Sequence, residues 1–331
     1  MLSDRLRLSA GCGYIACMPL DPRLQMLLDE AKALGHPPAH ELTPEQARLH
    51  RVEMMARFVP MPEYADVWVE EGMIAAEGRK IRVRVYSAGG DGVAPVVVFF
   101  HGGGWVAGTL ATHDPYCRAL AKEAGVVVVS VDYRLAPEHK FPTGLEDCLV
   151  ATEWVMAHAG ELGGDASRVM VGGDSAGATL ATVVALLLRD KGVNGLTGQI
   201  LLYPAVAYYD PPTASYLENA VGYGLTRLGM IWFWDHYLND KSEAMDFRAA
   251  PLLADSLAGL PRAFVLTAEY DVLRDEGQAY AKRMAEAGVE VTEVFAEGMN
   301  HGFAASANEF PFLPQAKEML RRVAEWIKAG G

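Results

Sequence analysis

Residues 168–188 read RVMVGGDSAGATLATVVALLL, and the pattern changes character at one point. Before Gly173, Val169, Met170 and Val171 form a short, continuously apolar run of the kind a strand buried on both faces requires. After Ser175, small and apolar residues continue to Asp190 without a breaker, long enough for a helix. Between them lies Gly173-Asp174-Ser175-Ala176-Gly177, a turn of small residues around one serine. A sharp strand-to-helix corner needs such neighbours, because the backbone approaches itself closely there.

The same rhythm extends outward. Short β-branched or apolar runs occur at 67–75, 81–87, 95–101, 126–132, 168–173, 198–203, 262–268 and 289–296. The first two, joined near Gly78, read as a hairpin; the later ones alternate with helical segments at 113–124, 143–160, 176–190, 274–287 and 313–328. This predicts an α/β fold with a mostly parallel, eight-stranded sheet flanked by helices. Residues 205–250 break the rhythm with a Pro/Tyr-rich loop and the helix LTRLGMIWFWDHYLND (225–240), and read as an insertion. Two helices precede the first strand. Asp21 and Pro22 open one, and Thr43, Pro44 and Gln46 open the other with a capping-box pattern. Leu24, Leu27, Leu28 and Leu34 on the first, with Leu49, Val52 and Ala56 on the second, are expected to cover the apolar rows of helix 225–240.

Composition narrows the function classes. The 331 residues are 51% hydrophobic and 21% charged, which gives ample material for a core. Lys+Arg number 29 against 42 Asp+Glu, a net charge of −13 with no basic run to meet phosphates, so nucleic acid is an unsuitable partner. The four cysteines, Cys12, Cys17, Cys117 and Cys148, lack the spacing of a disulfide framework or a zinc site. That fits a reducing, cytoplasmic setting without a metal or other cofactor. No apolar stretch reaches bilayer length, and residues 1–17 read as a disordered leader because Gly11 and Gly13 interrupt any signal-peptide core.

The serine at the corner is a candidate nucleophile, which requires a base. Of nine histidines only His236 and His301 follow Ser175. His236 lies inside the aromatic helix of the insertion, whereas His301 lies in a turn directly after the strand VEVTEVFA, at 289–296. The acid is expected at the end of the strand RAFVLTA, where Glu269, Asp271 and Asp275 compete. Glu269 reads as a residue that hydrogen-bonds the loop and Asp275 as a first-turn helix charge, which favours Asp271. His101-Gly102-Gly103-Gly104-Trp105 follows the strand PVVVFF. Consecutive glycines there raise the entropy cost of folding and are best explained as exposing backbone N–H donors to developing negative charge. Gly103, Gly104 and Ala176 are the expected donors, His101 is expected to orient the loop, and Trp105 and Tyr203 are candidate pocket walls. VDYRLAPEHKFP, at 131–142, reads as a salt-bridged brace.

Taken together, MPLDP (18–22), HGGGW (101–105), VDYRLAPEHKFP, GDSAG (173–177), DVLRDEG (271–277) and HGF (301–303) resemble the bacterial carboxylesterases of the hormone-sensitive-lipase family, the GDSAG type of family IV. The resemblance spans nearly everything from Met18 onward. It implies an α/β-hydrolase fold, Ser175, Asp271 and His301 as a catalytic triad, and Gly103, Gly104 and Ala176 as an oxyanion hole. It further implies a catalytic domain of 61–204 and 251–331 under a helical cap built from 18–60 and 205–250. Family members often continue GDSAG with Gly-Asn; Ala178 and Thr179 stand here. The expected activity is hydrolysis of short- to medium-chain carboxylic esters through an acyl-enzyme, with a small-molecule ester as partner and the choice between monomer and homodimer open. An amidase or arylformamidase using the same site, or a non-catalytic ligand receptor on the same fold, are the alternatives; His301 argues against the receptor.

Overall fold

The structure, a computed structural model, describes residues 19–55, 61–90, 92–305, 310 and 312–330. The expected leader, 1–17, lies outside the described residues. Strands β1 (Trp68–Ala76) and β2 (Arg79–Ser87) form an antiparallel hairpin. Its two-residue turn places Glu77 at φ 51° and Gly78 at φ 75°. Two left-handed residues make the turn whose twist matches that of the strands it joins.

Strands β3 (Ala94–Phe100), β4 (Val127–Asp132), β5 (Gly164–Asp174), β6 (Leu196–Leu202), β7 (Ala263–Tyr270) and β8 (Val291–Asn300) complete one eight-stranded sheet. Its order is β1-β2-β4-β3-β5-β6-β7-β8. β2 pairs antiparallel with both β1 and β4, and every other pairing is parallel. The expected α/β fold with a mostly parallel sheet is therefore the observed one. Core packing explains the continuous apolar runs: on β3, Val96, Val98 and Phe100 enter one buried cluster while Val97 and Phe99 enter another. Helices α4 (Thr143–His158), α5 (Ala176–Asp190) and α8 (Arg274–Glu286) contribute to the first cluster, and α3 (Asp114–Ala124) and α9 (Pro314–Ala329) to the second. Because β3 to β8 are parallel, their carboxyl ends lie along one edge, where the loops of a doubly covered sheet are free to form a site.

The N-terminal helices depart from expectation. α1 (Pro22–Ala33) starts at Asp21, whose side chain accepts from Arg23 N at 2.8 Å. α2 (Pro44–Met55) has the reciprocal capping box, Gln46 N to Thr43 Oγ1 at 3.2 Å and Thr43 N to Gln46 Oε1 at 2.9 Å. Leu24 is buried, but in the cluster of α9, whereas helix α7 (Arg227–Tyr237) of the insertion packs into the other cluster. Leu49 and Val52, expected beneath α7, are 58% and 50% exposed, and Ala56 lies outside the described residues. Polar contacts hold α2 instead. Arg48 donates to Val106 O and Ala136 O, both at 2.7 Å, and pairs with Glu138 at 2.6 Å. The sequence pattern gave the apolar residues of α2 a partner because it cannot register one long cationic side chain spanning to two distant carbonyls. Among the described residues no helix is long and apolar enough to cross a membrane.

Candidate active site

Ser175 sits between β5 and α5 at φ 55°, in the left-handed region that a residue with a Cβ rarely adopts. Its N–H donates to Leu202 O at 2.8 Å, pinning the strained corner to β6. The turn is steric: a Cβ on Gly173 or Gly177 would collide with the carbonyl of Phe100 on β3. Thr179 is buried and donates its hydroxyl to Ala205 O, tying the first turn of α5 to the chain leaving β6.

His301 follows β8 directly. The strand continues past the expected end at 296, because after a register shift Asn300 pairs with Tyr270 on β7. Its Nε2 lies 2.9 Å from Ser175 Oγ and its Nδ1 2.7 Å from Asp271 Oδ2. Asp271 is fully buried, and its other oxygen accepts from Leu273 N at 2.9 Å. A carboxylate facing Nδ1 accepts the proton there, leaving the Nε2 lone pair directed at the serine hydroxyl. The ring of Tyr203 meets the His301 ring edge-on, 4.8 Å between centroids. Of the competing acids, Glu269 accepts from Gly298 N at 2.7 Å, so it ties the acid loop to the strand bearing His301. Asp275 accepts from Ser215 N at 2.7 Å. His236 bonds Trp232 O at 2.7 Å within its own helix.

The HGGGW loop runs from the end of β3 beside the serine. Gly103 and Gly104 have φ of 125° and 61°. Among the described residues, the backbone N–H groups of Gly103, Gly104 and Ala176 meet no protein acceptor. The loop is braced from below by a buried cluster that the sequence reading missed. Asp174 Oδ1 accepts from Gly102 N at 2.8 Å and lies 3.0 Å from His113 Nε2, an ion-pair distance though off the line of a hydrogen bond. Burial works to raise the Asp174 carboxyl, but His113 and the Gly102 N–H outweigh it and hold it below its ordinary value. His101 stacks on Tyr133, 4.4 Å between centroids, and the Tyr133 hydroxyl donates to His101 O at 2.6 Å. Burial, reinforced by His113, pushes the His101 imidazole down to about 3, so it is neutral. The placement of Asp174 within GDSAG was the one available signal.

From above, α7 lies on this loop. The Trp105 ring stacks on Tyr237 at 4.3 Å and meets Trp234 at 4.7 Å. The Phe233 ring lies against Gly104 so closely that a Cβ there would clash with it. Trp105 and Tyr203, expected as pocket walls, are 2% and 1% exposed and belong to the core. The brace reading of 131–142 matches the contacts: Asp132 pairs with Arg82, Arg134 with Asp147 and Glu138 with Arg48. Among the described residues no group of three or more His, Cys, Asp or Glu could hold a metal ion.

A hydroxyl, an imidazole and a buried carboxylate in line at the carboxyl ends of β5, β8 and β7 make a proton path out of the serine, beside backbone donors suited to an oxyanion. A family model for the α/β-hydrolase fold matches residues 97–305. The chain belongs to the α/β-hydrolase family. Within it, this α/β hydrolase is 40% identical over 309 residues to the carboxylesterase NlhH of Mycobacterium tuberculosis, covering 91% of this chain and 94% of that protein. It is 33% identical to an ethyl acetate hydrolase of Pseudomonas putida, over 94% of this chain and 99% of that one. A crystal structure of a thermostable esterase from Pseudomonas putida superposes with a TM-score of 0.89 at 38% identity, covering 94% of this chain and 98% of the other. The resemblance to the hormone-sensitive-lipase type of carboxylesterase, read from the motifs, agrees with these relatives.

Proposed function

We propose that this carboxylic ester hydrolase cleaves short- to medium-chain esters through an acyl-enzyme formed on Ser175. His301 takes the hydroxyl proton as Oγ attacks the ester carbonyl and returns it to the departing alcohol; Asp271 holds the ring and stabilises the imidazolium. Gly103, Gly104 and Ala176 donate to the tetrahedral oxyanion, the last at the positive end of α5. Water activated by the same histidine then releases the acid. The observation that carries this reading is the unbroken contact chain, Oγ to Nε2 at 2.9 Å and Nδ1 to Oδ2 at 2.7 Å.

Residues 61–204 and 251–331 act as the catalytic domain in this reading, with 205–250 and the N-terminal helices from 18–60 as its cap. The contact of Phe233 with Gly104 and the stacking of Tyr237 on Trp105 support a cap that reaches the oxyanion loop. The name of the ethyl acetate hydrolase, a relative that acts on a short-chain ester, supports the short-chain reading. The test is a panel of p-nitrophenyl esters from acetyl to palmitoyl, the matching anilides, and labelling by a phosphonate. Ser175→Ala should lose on the order of 10⁶ in turnover and all labelling, by analogy with a comparable serine enzyme. Faster hydrolysis of palmitoyl than of butyryl esters, or of anilides than of esters, would overturn the substrate assignment.

A further inference from the structure

The acid loop is held from an unexpected direction. Helix α6 (Ala214–Glu218), a short element of the insertion, is docked on residues 271–275. Ser215 N donates to Asp275 Oδ2 at 2.7 Å and Ser215 Oγ to Val272 O at 2.7 Å. Directly after it stands Asn219, only 4% exposed, whose Nδ2 donates to Asp271 O at 3.0 Å and to Glu269 O at 3.2 Å. The amide orientation follows from chemistry, since two carbonyl oxygens can be faced only by the NH₂ end. One planar group thus uses both its protons to fix the backbone on either side of Tyr270, the residue preceding the acid.

The same two carbonyls also accept from Arg274, its backbone N–H reaching Asp271 O at 3.2 Å and its Nη1 reaching Glu269 O at 3.3 Å, but Arg274 opens the helix that follows the acid, whereas Asn219 ties that backbone to the insertion. Asp271 Oδ1 is fixed by Leu273 N and Oδ2 faces His301, so rotation of the Asp271 peptide carries the carboxylate off the imidazole. On the far side of the same strand pair a second bond to the insertion runs the other way, from Nδ2 of Asn300, the residue preceding His301, to Tyr223 O at 3.0 Å. We infer that Asn219 is a positioning residue for the reaction: its amide, supplied by the insertion, sets the Asp271 backbone so that the carboxylate meets His301 Nδ1. The inference rests on the proposed reading of Asp271 as the acid.

The experiment compares Asn219→Asp, which keeps the shape but replaces the donors with acceptors, Asn219→Ser, which keeps one shorter donor, and Asp271→Asn. Each is measured for kcat, KM and the pH profile of kcat/KM on a short-chain ester, and for the low-field proton resonance of His301 Nδ1–H. Asn219→Asp should lower kcat by about 10²-fold, the scale of a misplacement near 1 Å, with KM little changed. Its acid limb should move and its low-field resonance should shift or vanish, because His301 loses part of its partner. Asn219→Ser should fall between it and the parent, and it carries the test alone if the aspartate variant fails to fold. Folded Asn219 variants with parental kcat, while Asp271→Asn is crippled, overturn the inference. So does a loss of kcat with the acid limb and resonance unmoved, which marks a merely structural residue. An Asp271→Asn enzyme that remains active overturns the assignment of the acid, and this inference with it.

Discussion

The two flanks of the site are built by opposite means. On the Ser175 side, the ends of β3 and β5 come together by leaving side chains out: Gly173 and Gly177 let two backbones touch, and Gly104 lets Phe233 lie on the HGGGW loop. On the acid–base side, the ends of β7 and β8 are held by putting polar side chains in: Glu269 on Gly298, Asn219 on Glu269 and Asp271, Asn300 on Tyr223. The first construction fails sterically and all at once. The second fails by degrees, one hydrogen bond at a time, and that difference orders the expected effects of substitution.

The largest effect on the polar flank is predicted at the acid. Asp271→Asn should reduce turnover by up to about 10⁴, because the amide stabilises the wrong imidazole tautomer while leaving the geometry intact. Glu269→Gln retains an acceptor for Gly298 N and should cost far less. Turnover numbers at equal thermal stability decide between them, and a more damaging Glu269→Gln would break the assignment of roles along this loop.

On the steric flank, Gly104→Ala should lower kcat by about 10²-fold through displacement of one backbone donor. The alanine must adopt φ near 61° and push the Phe233 ring aside, so a double variant with Phe233→Ala relieves the clash but leaves the backbone strain. Partial recovery of kcat in the double variant is the expected outcome. Full recovery would assign the whole effect to the ring, and none at all would assign it to the backbone.

This contrast also explains what the sequence disclosed. The steric flank is written locally, since glycines within a few positions of a strand end can be read in order, and the fold follows from apolar runs that the sheet buries on both faces. The polar flank is written at a distance. Asn219 lies in a Pro/Tyr-rich stretch fifty residues before the carbonyls it holds, and nothing nearby distinguishes it from a loop asparagine. Asp174 and His113 were visible as letters of a motif and of a helix start, but their approach across the sheet was not. The five-residue helix α6 carries too little periodicity to register. The apolar residues of α2 were given a burial they do not have, because pattern alone assigns Leu49 and Val52 a buried face.

A subtler effect is predicted for Glu276, which belongs to the polar flank and is fully buried. Its Oε1 accepts from Val206 N at 2.8 Å and Ala207 N at 3.1 Å, where the insertion leaves β6. Burial pushes its carboxyl well above the ordinary value, and the neighbouring Asp271 adds to this against the two N–H groups. With a raised folded value, the stabilisation from the protonated form is complete below the unfolded carboxyl value of about 4.3 and is lost as pH rises toward the folded one. Glu276→Gln removes that titration and keeps the acceptor. Thermal melts should therefore coincide near pH 4 and diverge above it in favour of the variant, by up to about 1.4 kcal/mol per pH unit. Parallel melts across this range would show that Glu276 ionises alike in both states.

The smallest effect is expected where neither construction applies, at the contact of α2 with the brace loop. Arg48 pairs with Glu138 at 2.6 Å, and the Glu138 carboxyl is held down to about 2, first of all by its hydrogen bonds to Arg48. That depressed value places its contribution above the unfolded carboxyl value of about 4.3, and the contribution disappears as acid protonates the folded group. The Glu138 side chain is 56% exposed, however, so water and salt screen the pair. Glu138→Gln should cost only about 0.2–1 kcal/mol at neutral pH, less at high salt, and nothing in strong acid. Arg48→Ala should cost more than Glu138→Gln at every ionic strength, since it also frees the partly buried carbonyls of Val106 and Ala136. Because Val106 follows directly on the HGGGW loop, the arginine variant should lower kcat while the glutamine variant leaves it unchanged. Equal effects of the two substitutions would mean that the surface charge pair, and not the carbonyl contacts, is what fastens α2 to the site.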